Sequence, residues 1–189
     1  MHRIRLAYLG LTATRMNAAD AIHVGFADMF VPEQDWPALI ATLEESGDPD
    51  QIRAAAGSPE AGALNGSAAD TARLFHGATL TDIQAALQAD GSDFAAAALK
   101  KMSRNSPLSM AVFVEMMQRL RGRHIEDALE LEYCFVSRSM EHGDFLEGIR
   151  AAIIDKDRNP KWQHQWPDPV PDADVSRMLG ATDFSLPRP

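Results

Sequence analysis

Apolar and polar positions along this 189-residue chain recur with the 3.6-residue period of helices almost throughout. Residues 3–12 read as one helix. Asn17 is placed to cap a second, AADAIHV, which Gly25 stops in the left-handed conformation common at helix ends. FADMFV, residues 26–31, reads as the single strand, and Pro32 closes it. EQDWPALIATLEES predicts an amphipathic helix with an early proline. Residues 47–66, rich in Gly, Ala, Pro and Asp, predict a linker.

Beyond residue 66 the pattern is helical. Thr81 with Gln84 makes a T-x-x-Q capping box ahead of IQAALQA. Ser92 caps SDFAAAALKKM, and Ser106 with Pro107 supplies a cap and a first-turn proline for LSMAVFVEMMQRL. IEDALELEYCFVSRSM is the longest helix, with Ile125, Leu129, Val136 and Met140 as its apolar face. Pro167, Pro169 and Pro171 mark a tail expected to run extended along the surface.

One stretch departs from this regularity: HGDFLEGIRAAIIDKDRNPKW, residues 142–162. Asp144 and Glu147 mark a helix start, and Asn159-Pro160 a stop. Between them Leu146, Ile149 and Ile153 form an apolar stripe. At about 100° per residue, Asp155 turns to solvent and Lys156 sits at the edge, whereas Arg150 and Asp157 fall within the stripe. Glu132 likewise lies at the centre of the preceding helix's apolar face. Charges on a buried face are costly unless paired. The pattern therefore predicts a buried Glu132–Arg150 ion pair, with Asp157 as a second partner for the guanidinium.

Composition narrows the function. Hydrophobic residues at 46% and charged residues at 24% are ordinary for a soluble globular protein. No apolar run approaches the roughly 18 residues of a membrane span. The first segment, MHRIRLAYLGLTATRM, is interrupted by Thr12, Thr14 and Arg15 and has no small-x-small cleavage site, so it reads as a helix of the fold rather than a signal. The single cysteine, Cys134, excludes an internal disulfide framework and fits a reducing cytoplasm. A net charge of −9 disfavours nucleic acid and anionic membranes as partners. An anionic small ligand needs only a local basic patch. LKKMSR (Lys100, Lys101, Arg104) and RLRGRH (Arg119, Arg121, Arg123) are such patches, though they read more readily as solvated helix ends. There is no phosphate-cradling glycine loop, no histidine pair at metal-ligand spacing and no nucleophile elbow. The residues define an acidic, mainly helical protein without a convergent catalytic group.

DFLEGIRAAIIDKDRNPKW also carries a family resemblance. It resembles the C-terminal signature of 3-hydroxyisobutyryl-CoA hydrolases, a branch of the crotonase (enoyl-CoA hydratase/isomerase) superfamily. The match falls on Asp144, Phe145, Glu147, Gly148, Arg150, Ala151, Ile154 to Asp157, and Pro160 to Trp162. YLGLTATRMNAADAIHVGFADMFVP is similar to the family's helix–strand unit, with Ala13 where Gly is usual and Asp28 where His is usual. The resemblance extends over essentially the whole chain.

What it implies is the C-terminal helical part of a crotonase-like α/β fold, mainly α, with one short strand near residues 26–31. Residues 1–46 would be the last helix–strand–helix unit of the core, 47–79 a linker and short helix, 80–162 a helical C-terminal domain and 163–189 an extended tail. The implied reaction is hydrolysis of a short hydroxyacyl-CoA, as in valine breakdown, with CoA entering as part of the substrate and no metal or other cofactor. The family's oxyanion hole and acid/base residues lie upstream of this segment. No catalytic residue is therefore expected here, and the chain alone is expected to be inactive. Lys156 is the candidate substrate-binding residue, since related crotonases place a lysine near this point. The alternatives are an enoyl-CoA hydratase/isomerase and a catalytically silent helical assembly module. The helix at 3–12 and the strand at 26–31, deprived of their neighbours, are expected to expose apolar faces and drive self-association.

Overall fold

The computed structural model describes residues 2–183, 185 and 186. Its helices are α1 (His2–Thr12), α2 (Ala18–Val24), α3 (Trp36–Ser46), α4 (Asp50–Ala54), α5 (Ala68–Leu74), α6 (Leu80–Asp90), α7 (Asp93–Met102), α8 (Pro107–Arg119), α9 (Ile125–Ser139), α10 (Phe145–Ile149) and α11 (Asp172–Met178). A π-helical turn, Arg150–Ile154, continues α10.

Most starts and stops follow local chemistry. The Asn17 side chain accepts the Asp20 N–H while Asp20 returns a bond to the Asn17 N–H, a reciprocal box at the start of α2. Gly25 ends that helix at φ 82°, a conformation open to Gly because it lacks a Cβ. Ser92 and Ser106 cap α7 and α8 as expected. The capping box of α6 is corrected by two residues. Thr79 accepts the Asp82 N–H and Asp82 accepts the Thr79 N–H, which leaves Thr81 inside the helix.

The expected strand at 26–31 does not form. Among the described residues the segment makes one isolated antiparallel bridge, Phe30 to Gly57. A strand needs a neighbouring edge to satisfy its backbone, and here Phe26 and Met29 point into solvent instead. The following helix α3 is no better covered: none of its residues is buried, and Trp36 and Ile40 are exposed.

The core is built around α1, contrary to the expectation of an uncovered helix there. Ala7, Tyr8, Leu9 and Leu11 are buried among Leu74, Phe75, Ile83, Leu87, Ala95, Met102 and Val114. Tyr8 meets Phe75 edge-on at 5.2 Å and stacks on Phe94 at 5.5 Å. Each large side chain fully buried in this way is worth about 1.5–3 kcal/mol. A second cluster joins Leu108 and Val112 of α8 to Met178 and Leu179, flanked by Leu131 and Phe135 of α9. The chain after the three prolines is therefore not extended throughout. Over Asp172–Met178 it forms α11 and folds back onto α8, because Met178 and Leu179 bury more apolar surface there than an extended path would.

Helix α9 carries apolar side chains on both faces. Leu131, Cys134 and Phe135 turn inward. Ile125, Leu129, Tyr133, Val136 and Met140 turn outward, between 45 and 67% exposed. An apolar stripe on each side of a helix calls for cover on both sides. This one has its outer face bare.

Candidate functional site

The unusual chemistry gathers where α10 passes through its π turn into the segment 155–166. Arg150 is the hub. Its Nε and Nη2 donate to the two Glu147 carboxylate oxygens at 2.9 and 2.8 Å, a bidentate pair. Nη1 donates to Asp155 at 2.6 Å and to Asp157 at 2.8 Å, and Nη2 also reaches the Asn159 carbonyl at 3.2 Å. Glu147 in turn accepts the Lys161 N–H at 2.5 Å, and Asp157 accepts the Asn159 N–H at 2.9 Å. Three carboxylates and three backbone groups thus bind the turn back onto α10.

The predicted Glu132–Arg150 pair does not exist. Glu132 is exposed, beside the outward stripe of α9, because the face taken for the buried one is the bare one. Asp157 is a partner of Arg150, as expected. Asp155, expected in solvent, is a partner too. The spacing of 3.6 residues per turn that would send Asp155 to solvent does not hold here. In the π turn the Asp155 N–H bonds to the Arg150 carbonyl five residues back, at 2.8 Å, which swings Asp155 beside the guanidinium. Arg150 itself is half-buried rather than buried.

The cluster shifts its own ionisation. The Arg150 guanidinium, and after it the Lys161 N–H, hold the Glu147 carboxyl down at about 2, from an ordinary 4.5. The Asn159 N–H and then Arg150 lower Asp157 as well. Glu147 and, after it, Asp157 and Asp155 raise Arg150 beyond its already high value. A depressed carboxyl stabilises the fold fully above its unfolded-state value and loses that contribution as pH falls through its folded-state value. The melting-temperature gap between the native chain and Glu147→Gln is therefore expected to hold steady from neutral pH down to about 5. It should narrow below 4.5 and close near 2. A gap of constant size down to pH 2 would show that Glu147 acts by shape and not by charge.

Beside the hub lies a buried polar junction. Asp144, buried at the head of α10, accepts the Ser106 hydroxyl at 2.5 Å and the Gln163 N–H at 2.9 Å. Ser106 is itself the cap of α8, accepting the Ser109 N–H at 3.0 Å. Asp144 was expected to serve the helix start. It makes no side-chain cap bond and instead ties α8, α10 and the segment after Trp162 together.

Lys156 stands just past the π turn, exposed, at φ 56°; Arg158 follows at φ 53°. Left-handed non-glycine residues are uncommon, and two so close together are held by the Arg150 bonds around them. Of the basic patches, Lys101 bonds Thr14 at 3.1 Å and lies over the Tyr8 ring, while Arg119 pairs with Glu115 at 2.7 Å. Arg104 comes to line a cleft with Arg158 and Lys161. Arg104 is legible as part of a basic patch, but its neighbours here are not, since they stand more than fifty positions away in the sequence. Cys134 is buried, its Sγ 3.9 Å from the Thr182 hydroxyl. No helix among the described residues is long and apolar enough to cross a membrane.

The geometry describes a helical scaffold with an ion-pair-locked turn and a bare apolar helix face. Comparison with known proteins gives its kinship. The enoyl-CoA hydratase/isomerase family model matches residues 5–179, and the chain belongs to that family, within the crotonase superfamily. It is 29% identical over 193 residues to the mitochondrial 3-hydroxyisobutyryl-CoA hydrolase of Xenopus laevis, covering 95% of this chain and 50% of that protein. Among solved structures, an enoyl-CoA hydratase from Rhodobacter sphaeroides superposes with a TM-score of 0.82 at 46% identity, over 95% of this chain and 54% of the other. A carnitinyl-CoA dehydratase from Mycobacterium thermoresistibile superposes at 0.84 with 28% identity, over 98% of this chain and 56% of the other. The chain spans about half the length of the relatives it matches.

Proposed function

We propose that this chain is the C-terminal portion of an acyl-CoA thioester hydrolase resembling the 3-hydroxyisobutyryl-CoA hydrolases, acting in valine breakdown in a reducing compartment, the cytoplasm. The observation that carries the reading is α9, apolar on both faces and covered on one. A chain spanning half of its relatives' length and leaving such a face bare fits a part that docks on a further half of the same fold. The oxyanion hole, two backbone N–H groups that stabilise the negative oxygen formed on attack at a thioester carbonyl, would lie in that further half. The division into a core unit at 1–46, a connecting segment at 47–79, a helical domain at 80–162 and a tail at 163–189 belongs to the same proposal. So does Lys156 as the residue meeting a phosphate of the acyl-CoA substrate, which its exposure leaves open to ligand.

A second reading, hydration or isomerisation of an enoyl-CoA, is favoured by the 46% identity to the Rhodobacter sphaeroides hydratase. Complementation separates the two. The chain would be co-expressed with the preceding half of the Xenopus laevis hydrolase or, separately, with that of the hydratase, and each pair assayed for thiol release from 3-hydroxyisobutyryl-CoA and for hydration of crotonyl-CoA. Thiol release with the pair, and no turnover by either half alone, is the expected result. Hydration without thiol release selects the second reading. Failure of the halves to associate at all would leave a catalytically silent helical module.

A further inference from the structure

The basic patch after α8 is only partly neutralised. Arg119 is taken by Glu115 at 2.7 Å, whereas Arg121 and Arg123 pair with no carboxylate among the described residues. Arg121 lines a cleft of about 280 Å³ between α1, the α5–α6 junction and the end of α8. Ile4, Ala7, Phe75, Ile83, Val114 and Met117 make its apolar wall, and four of these, Ala7, Phe75, Ile83 and Val114, are buried in the core. Beside Arg121 the polar lining is His76 and Gln118. No Asp or Glu lines the cleft, in a chain with 27 acidic residues against 18 basic ones. Asp82 packs against Gly77 at its edge, but that carboxylate is occupied by the Thr79 N–H at 3.0 Å.

We infer that this cleft binds the anion of a short-chain carboxylic acid, its carboxylate on Arg121 and its alkyl tail along Ile83, Val114 and Met117. A guanidinium fork matches the two oxygens of a carboxylate. Small-ligand sites likewise join an apolar wall to a few polar groups that fix orientation. The volume falls just below the roughly 300–1,000 Å³ of drug-sized ligands, which restricts the cleft to a small molecule. Two of its polar side chains are set before binding. His76 bonds through Nδ1 to the Arg73 carbonyl at 2.7 Å. A carbonyl only accepts, so Nδ1 carries the hydrogen and the ring is held. Gln118 donates to the Ala78 carbonyl at 3.0 Å. Side chains held in this way lower the ordering cost of capture. The site does not depend on the acyl-CoA reading, since none of its residues belongs to the Arg150 hub or to the bare face of α9.

Calorimetry and methyl NMR on the full chain test this with butyrate and hexanoate, hexanol and inorganic phosphate serving as controls for tail and charge alone. Hexanoate is expected to bind more tightly than butyrate, by about fourfold for each added CH₂. It should shift the methyl signals of Ile4, Ile83, Val114 and Met117 and leave those of Ile125, Leu129 and Val136 on α9 unmoved. Arg121→Gln should weaken hexanoate binding by about tenfold or more, the loss of a charge-assisted bond. Arg123→Gln removes the same charge from outside the cleft and should leave binding unchanged. Both arginines are exposed, so the helical circular dichroism should stay native in both variants. Hexanol or phosphate binding as tightly as hexanoate, equal losses in the two arginine variants, or shifts confined to the α9 methyls overturns the inference. So does the absence of hexanoate binding at millimolar concentration.

Discussion

Asp144→Ala is expected to destabilise the chain by about 3 kcal/mol, because it strands buried donors that each cost about 1–3 kcal/mol when left unpaired. For a protein of this size that corresponds to a fall of about 6–12 °C in melting temperature. The reason is position. Asp144 is buried and receives the Ser106 hydroxyl and the Gln163 N–H, from segments that are otherwise far apart in sequence. Ser106→Ala removes the α8 cap as well, for which about 0.5–2 kcal/mol is usual. The double variant should lose less than the two single losses added, since both changes break the same bond. By contrast Glu132→Gln, at an exposed position, should stay within about 0.5 kcal/mol of the native chain. A thermal or urea melt in which Asp144→Ala and Glu132→Gln behave alike would remove the junction from the account of stability.

Sedimentation velocity on the purified chain is expected to show dimers or larger species that dissociate on dilution. The driving surface is the outer face of α9, where Ile125, Leu129, Tyr133, Val136 and Met140 stand exposed in one stripe, with Phe26, Met29, Trp36 and Ile40 uncovered elsewhere. Contiguous apolar patches of this kind mark interaction surfaces. Introducing Leu129→Lys together with Val136→Lys should restore a monomer. The melting temperature should change little, since neither side chain is packed in the fold. A native chain that remains monomeric at high concentration would count against a bare docking face, and with it against the proposal that a further half covers it. The same pair of substitutions should abolish complementation.

Helix by helix, the expected elements are largely present, and the misses have physical causes. Caps and stops are local events: Asn17, Gly25, Ser92 and Ser106 act through bonds to residues three or four positions away, so neighbouring letters are enough to read them. The α6 box slipped because Thr79 and Thr81 each stand three residues before a plausible partner, and only the direction of the chain entering the helix chooses between them. FADMFV has strand composition but no second edge to pair with, and composition alone cannot supply one.

The candidate site divides in the same way. Arg150 stood out from sequence as a charge needing partners, and Asp157 was named as one of them. By local pattern Glu147 reads as a capping residue and Asp155 as solvent-facing, yet both bond the guanidinium. The cleft of Arg104, Arg158 and Lys161 is not legible in the sequence, since it joins residues more than fifty positions apart that only the tertiary packing brings together.

By itself the sequence determined the helical character, most helix ends, the family and the existence of charges that had to be paired. Those properties come from period, capping and motif, all of which act over a few residues. The tertiary structure alone decided which apolar face of α9 turns inward, where the tail goes and which carboxylates gather on Arg150. Two apolar stripes on one helix are equivalent until a neighbour covers one of them. The partners of a guanidinium likewise depend on a π turn whose extra residue shifts every side chain that follows.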